Sequence, residues 1–179
     1  SYNMYFNSSC SYNYFYNNAF YDARSSHNIY FTSSCQYNRF INNVFLHNQN
    51  SYNVYFTSSS YYSRLFNNII ININGGSSAY ALYDDGNTYY LSHNFVASAY
   101  SSDRCYQSNH RGQYSSSSSD IYGKYPDLDP GFVDIDARDF HLKSMCGHWD
   151  EDLEDWFYDT ENSVCIDAGY DGSENYYWD

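Results

Sequence analysis

The chain has 179 residues, 8 basic and 21 acidic side chains, and a formal net charge of −13. So few cations argue against binding nucleic acid or anionic membrane surfaces, and no run approaches the roughly 18 apolar residues of a bilayer span. Rings make up 22% of the residues, with Tyr at 25 positions, which excludes a disordered chain.

The chain opens at Ser1 with no charged-then-apolar leader, as expected of a mature or excised segment. Five cysteines suit an oxidising compartment with one or two bridges. The length suits one domain or part of one.

From its first residue the chain repeats itself. SYNMYFNSSCSYNYFYNNAFYDARS is followed by SHNIYFTSSCQYNRFINNVFLHNQN and then by SYNVYFTSSSYYSRLFNNII, a period of 25 without gaps. A degenerate fourth copy follows after one extra residue, where Leu91, Asn94, Phe95 and Val96 match Leu65, Asn68, Ile69 and Ile70. Units built from Tyr, Asn, Ser, Phe and Thr favour strands and turns over helices. The leucine-rich consensus is absent.

Each unit supplies three short strands. Met4/Phe6, Ile29/Phe31 and Val54/Phe56 alternate with polar or Tyr positions, so each pair shares one strand face. Phe15, Phe40 and Leu65 mark a second strand; Phe20, Phe45 and Ile70 mark a third. Equivalent positions one period apart predict an all-β parallel β-helix, right-handed by the general rule for parallel crossovers, rising about 4.8 Å per coil. One β-helix domain is expected over 1–179, with regular 25-residue coils to 100 and irregular coils and loops over 101–179.

Outward and turn positions form rows. Asn18, Asn43, Asn68 and Asn94 recur between the second and third strands, where Asn tolerates left-handed backbone and stacked amides can bond as a ladder. Tyr5, Tyr30 and Tyr55 form one outward row, and Tyr12, Tyr37 and Tyr62 another at a turn. Such rows either hold coils together or stack on sugar rings.

The pattern YxxYFTSSxxYxxFxNNxF resembles the repeats of the pectate-lyase-like right-handed β-helix superfamily. The stretch Asp129-Pro130-Gly131-Phe132-Val133-Asp134, then Asp139-Phe140-His141-Leu142, then Cys165-Ile166-Asp167-Ala168-Gly169, resembles the DPxFVD…DFHL…CIDAG ending of many secreted β-helix proteins. The resemblance implies a secreted, extracellular or cell-surface protein. The superfamily holds lyases, hydrolases, adhesins and passive surface proteins. Members usually carry an N-terminal cap, whereas here the first residue is already in phase, so an adjoining segment or another copy is expected on the end rungs.

Chemistry is sparse. A polyuronate lyase needs calcium carboxylates and a basic residue on the first sheet, but the stacked cations, Arg39 and Arg64, begin the second strand without an acidic cluster in the repeats. Asp84 and Asp85 read as turn residues, as do Asp134, Asp136 and Asp139. The densest charge run, Asp150 to Glu161, reads as a solvated loop flanked and pinned by Trp149 and Trp156. Its one metal reading is calcium at Asp150, Asp152 and Asp155, without EF-hand spacing; no other cofactor is expected. The six histidines show no metal-ligand spacing. Cys146 and Cys165 flank the acidic run and are a candidate disulfide; Cys10 and Cys35 are equivalent positions one coil apart. Asn7 heads an Asn-Ser-Ser glycosylation sequon, and Ser115–Ser119 reads as a surface loop.

The expected function is structural: an extracellular β-helix protomer stacking end to end into a fibre, with glycan decoration or glycan contacts. The alternative is a carbohydrate-binding module or a carbohydrate-active enzyme, the balance leaning away from an enzyme. Neither nucleic acid nor membrane insertion is expected.

Overall fold

The computed structural model describes residues 2–23, 26–48, 51–74, 76–85, 90–108, 120–150 and 153–169. Two units emerge, one within Ser1–Leu128 and one over Asp129–Gly169.

The first unit is a parallel β-solenoid. Its first coil holds β1 (Met4–Phe6), β2 (Tyr14–Tyr16) and β3 (Ala19–Ala23). The second holds β4 (Ile29–Phe31), β5 (Arg39–Ile41) and β6 (Val44–Asn48). The third holds β7 (Val54–Phe56), β8 (Arg64–Phe66) and β9 (Ile69–Asn72). The fourth holds β10 (Leu82–Asp84), β11 (Tyr90–Ser92) and β12 (Phe95–Ser98). Then β13 (Tyr106–Ser108) and β14 (Ile121–Lys124) extend the stack, so regular pairing runs past residue 100.

The strands form three sheets, in the orders β1-β4-β7-β10-β13, β2-β5-β8-β11 and β3-β6-β9-β12-β14. Between the first three coils the register steps by 25, as in Tyr5↔Tyr30↔Tyr55. From β7 to β10 the step is 28, Val54↔Leu82, because the chain over 73–81 carries extra residues. Pairing resumes in register on both sides of this insertion, since a one-residue slip would turn every core ring outward.

The core is made of columns of rings. Phe31 stacks between Phe6 and Phe56 at centroid separations of 4.4 and 5.1 Å, with planes 6° and 9° apart. Phe15–Phe40 (4.7 Å) and Phe20–Phe45 (5.1 Å) form the columns of the other two sheets. Columns meet edge to face, Phe31 on Phe40 at 76° and Phe40 on Phe45 at 66°. Identical residues one coil apart thus give stacking within a column, and different columns give the T-shaped contacts that rings also favour. Ile29, Phe31, Phe40 and Phe45 are fully buried, whereas Met4, Phe6, Phe15 and Phe20 of the first coil are only half-buried.

Asparagines tie coil to coil. Asn18 Nδ2 donates to Asn43 Oδ1 (3.1 Å), Asn43 Nδ2 to Asn68 Oδ1 (3.0 Å) and Asn68 Nδ2 to Asn94 Oδ1 (3.0 Å). Each receiving Oδ1 also takes the backbone N–H of the preceding ladder member. Asn43, Asn68 and Asn94 further donate to the carbonyls of Phe15, Phe40 and Leu65. Buried amides are therefore satisfied on both ends, which their burial requires. The left-handed backbone falls one residue earlier, at Asn17, Asn42, Asn67 and His93. The Asn-Asn pair splits two tasks, one residue turning the chain and the next bonding the coils. The ladder ends at Asp120, whose Oδ1 accepts the Asn94 backbone N–H (2.7 Å) and Nδ2 (3.3 Å). A second ladder runs Asn3–Asn28–Asn53 before the first sheet.

The second unit is two antiparallel hairpins. β15 (Phe132–Asp134) pairs with β16 (Asp139–Leu142), and β17 (His148–Asp150) with β18 (Asp155–Phe157). Its turns are closed by short carboxylates. Asp134 Oδ1 takes the N–H groups of Asp136 and Ala137, and Asp150 Oδ1 takes that of Leu153. Aspartate favours such turns because its side chain reaches its own downstream backbone. Gly147 has φ of +89°, and a Cβ there would lie 3.0 Å from the Tyr158 ring, so only glycine fits without displacement.

Candidate functional site

The first sheet presents a face of aromatic side chains. Strand alternation sends Phe and Ile inward and Tyr5, Tyr30, Tyr55 and Tyr83 outward, in register across four coils. Tyr30–Tyr55 stack at 4.9 Å and 18°; Tyr5–Tyr30 are tilted at 5.4 Å; Tyr55–Tyr83 meet edge-on at 5.0 Å. A second row, from the residues just before each strand, runs Tyr2, His27, Tyr52 and Tyr80. Tyr2 stacks on Tyr30 (5.5 Å), His27 on Tyr52 (5.4 Å) and Tyr52 on Tyr83 (4.2 Å). Arg104 bounds the row, its guanidinium 4.7 Å from the Tyr80 ring centre and donating to the Tyr80 hydroxyl.

The rings of the face lie between two charges, Arg104 at Tyr80 and Asp85 near Tyr55. Burial, then the neighbouring Tyr30 and Asp85, push the Tyr55 hydroxyl up to about 12. Burial likewise raises Tyr30 and Tyr52. Burial lowers His27, against the opposing bond from Nδ1 to the Tyr52 carbonyl (3.0 Å). Burial thus favours the protonated hydroxyl at Tyr30, Tyr52 and Tyr55 and the uncharged ring at His27. Tyr5 is 50% exposed and Tyr2 43%, while Tyr30, Tyr55 and Tyr83 are half-buried. The arrangement offers flat π-faces edged by hydroxyl donors, suited to a ligand with apolar C–H faces and many hydroxyls.

The turn row is separate. Tyr12, Tyr37 and Tyr62 stack at 5.0 Å in each step, with planes 9° and 19° apart. All three have left-handed backbone, φ +61°, +55° and +59°. That conformation is costly for a bulky side chain, and the stack holds it.

Other expected residues are placed as follows. Asn7 is exposed, and its Oδ1 accepts from the Thr32 hydroxyl at 3.2 Å. All five cysteines are free thiols, so the Cys146–Cys165 bridge is not formed; Cys146 is exposed, Cys165 half-buried, and burial pushes Cys165 up to about 11. Asp150 and Asp155 lie directly opposite each other in the β17–β18 pair, and Asp152 lies outside the described residues. Among the described residues no three His, Cys, Asp or Glu side chains gather as a metal site. Trp149 and Trp156 pair with each other across the hairpin, 6.4 Å apart at 79°, and stay 47% and 55% exposed instead of pinning the loop. Asp84 is no turn residue: it ends β10 at the position of Phe56 and is buried. Arg39 lies over Tyr14 at 5.2 Å, in register with Arg64.

The second aromatic row escaped the sequence reading. Its signal was the ring at each of positions 2, 27 and 52, one period apart. The eye misses it because one member is His and the insertion moves the next to Tyr80.

No curated protein and no solved structure matches the chain. A family described as disaggregatase-related matches residues 54–169, from the first strand of the third coil to the close of the second unit. With well over half its length matched, the chain belongs to the disaggregatase-related family.

Proposed function

We propose that this protein binds an extended carbohydrate chain on the tyrosine face of its first sheet, outside the cell. The carrying observation is the two-row, hydroxyl-edged pavement from Tyr2 and Tyr5 to Tyr80 and Tyr83. Stacked rings with retained hydroxyls match the two-sided chemistry of sugars, apolar above the ring and polar at its rim. The likeness of the repeats to pectate-lyase-like proteins supports the same ligand class. The family name points to dispersal of aggregates, and a surface that grips a polymer is one element of such work. Binding is the reading that the pavement itself supports, since stacked rings grip a sugar chain without a bond being broken.

Affinity electrophoresis through gels containing neutral polysaccharides tests it. Retardation by one polymer, abolished by Tyr30→Ala with Tyr55→Ala, is the expected result. Unretarded migration in every neutral polymer overturns it.

A second reading is end-to-end stacking into a fibre. It rests on the first coil, where Met4, Phe6, Phe15 and Phe20 are half-buried while their counterparts one coil on are sealed. A further rung, from this protein or another copy, would cover them. Electron microscopy of the protein without ligand decides it, filaments supporting the reading and discrete particles removing it.

A further inference from the structure

Cys10 and Cys35 hold the same place in consecutive coils, 25 residues apart, at the corner between the first and second strands. Backbone bonds tie the two coils on either side of them. The Ser9 N–H donates to the Ser33 carbonyl and the Tyr12 N–H to the Gln36 carbonyl, each at 3.0 Å. The corner therefore keeps the sheet spacing, which sets equivalent Cα atoms about 4.8 Å apart. That lies within the roughly 4.4–6.8 Å that a disulfide spans.

Both thiols face the same way. Cys35 is part of the buried core, and Cys10 packs against it. Each sulfur lies against the carbonyl three residues back, Asn7 for Cys10 (3.8 Å) and Thr32 for Cys35 (2.9 Å). The Cys35 sulfur also reaches the first coil, 3.8 Å from the Phe6 carbonyl oxygen. Burial pushes the Cys35 thiol up, and the neighbouring Cys10 bears on it. The two differ in access, Cys35 being sealed and Cys10 half-buried. In the third coil Ser60 takes the same place, so the row holds one pair of thiols. Cys105 lies at another corner, just ahead of β13, and Cys146 and Cys165 belong to the second unit.

We propose that Cys10 and Cys35 are a dithiol that exchanges with small disulfides and closes into a bridge between the first two coils. Cys10 is reached first. Its thiolate attacks one sulfur of the small disulfide and expels the other half, which takes up a proton. Cys35 then gives up its proton, attacks the Cys10 sulfur and displaces the second half. Two protein S–H bonds and one small S–S bond become one protein S–S bond and two small thiols, and the two electrons end on the small molecule. Closure requires the sulfurs to turn toward each other, and the half-buried Cys10 has room to do so. The bridge closes a 25-residue loop and so restricts the opened chain. It acts where the stack is least covered, since Met4, Phe6, Phe15 and Phe20 of the first coil are half-buried. The first coil is locked when oxidised and frays more readily when reduced. Neither sulfur lies on the tyrosine face, so the exchange does not rest on the carbohydrate reading.

Oxidised glutathione, added to the reduced full chain at about pH 8, near the thiol range, tests the proposal. After the remaining thiols are alkylated, cleavage at Arg24 and Arg39 leaves Cys10 in residues 1–24 and Cys35 in 25–39. The expected result is these two peptides joined by a disulfide, with amide exchange across Met4–Phe6 slowed about tenfold or more. Cys35→Ala stops at a glutathione adduct on Cys10, the mark of a lost resolving thiol. Cys10→Ser leaves Cys35 unmodified, because it is sealed. Circular dichroism checks that each variant folds. Cys35→Ser replaces Cys35→Ala if that one does not, since Ser60 shows that the row takes serine. Peptides that stay unlinked in the folded protein overturn the proposal, as does a bridge from Cys10 to any other cysteine. Exchange unchanged by the bridge overturns the locking of the first coil.

Discussion

The solenoid and the second unit solve the same problem in opposite ways. The solenoid buries columns of Phe, Ile, Leu and Val and backs them with fully bonded amides. In the second unit Phe132 alone of the large apolar side chains is buried below one-tenth, while Trp149, Leu153, Trp156, Phe157 and Tyr158 are exposed. That unit is held by carboxylates folded onto backbone N–H groups and by the shielded His148–Asp159 pair, Nδ1 to Oδ2 at 3.1 Å. Repetition lets one residue choice serve in every coil, so stability is pooled among neighbours. A non-repeating unit must settle each turn separately, and most of its rings stay at the surface.

The sharpest break of this contrast is Phe40→Ala against Phe157→Ala. Phe40 is fully buried and touches rings in all three columns, so its loss costs about 3–5 kcal/mol in urea unfolding. Phe157, 48% exposed, costs less than about 1 kcal/mol. Equal costs would mean the second unit has a core as essential as the first.

Asn68→Ala comes next. It removes the acceptor of two N–H groups from Asn43 and the donor to Phe40 O and Asn94 Oδ1. With buried partners left unpaired, the expected loss is about 2–3 kcal/mol. A cost below about 0.5 kcal/mol would show that the amide ladder only decorates the stack.

The fold was legible because spacing alone carries it: a period of 25 forces Phe15 over Phe40 and Tyr30 over Tyr55, whatever the side chains do in detail. The fourth coil was half-legible, since the longer step before Leu82 hides Tyr80 and Tyr83 from a fixed period. Asp84 was misread because Asp-Asp-Gly reads as a turn, while strand pairing with Phe56 overrides that local preference. The hairpin of the second unit has no periodic signal at all. Its tryptophans are placed by one cross-strand pair, which sequence distance does not reveal.

Within the second unit, Asp159→Ala removes the partner of the His148 ring and of the Ser144 N–H (2.8 Å). The expected loss is about 1–3 kcal/mol, read from tryptophan fluorescence of Trp149 and Trp156. The far-ultraviolet dichroism of the solenoid strands should stay unchanged. Simultaneous loss of both signals would mean the two units melt as one.

The smallest effect is expected at the ladder's end. Burial raises the Asp120 pKa, opposed by its bonds from Asn94. A carboxyl raised above its unfolded value supports the fold fully below that value, about 3.8, and loses this support as pH rises through the folded pKa. Asp120→Asn is therefore stabilising at pH 7, by less than about 1 kcal/mol, and the gain shrinks as pH is lowered toward 4. A variant less stable than the parent at neutral pH would mean that the charge itself is needed there.

The amide ladder has one more consequence, for descent. Asn43 and Asn68 each accept from the coil before and donate onward in the same direction, and between the first three coils the step is 25 residues. An in-frame duplication of 25 codons therefore arrives with all its bonding partners in place. It lengthens the protein without a compensating change elsewhere. Insertions of other sizes survive only where the ladder does not pass, as over 73–81. The coil is thus the unit in which this lineage can gain or lose length.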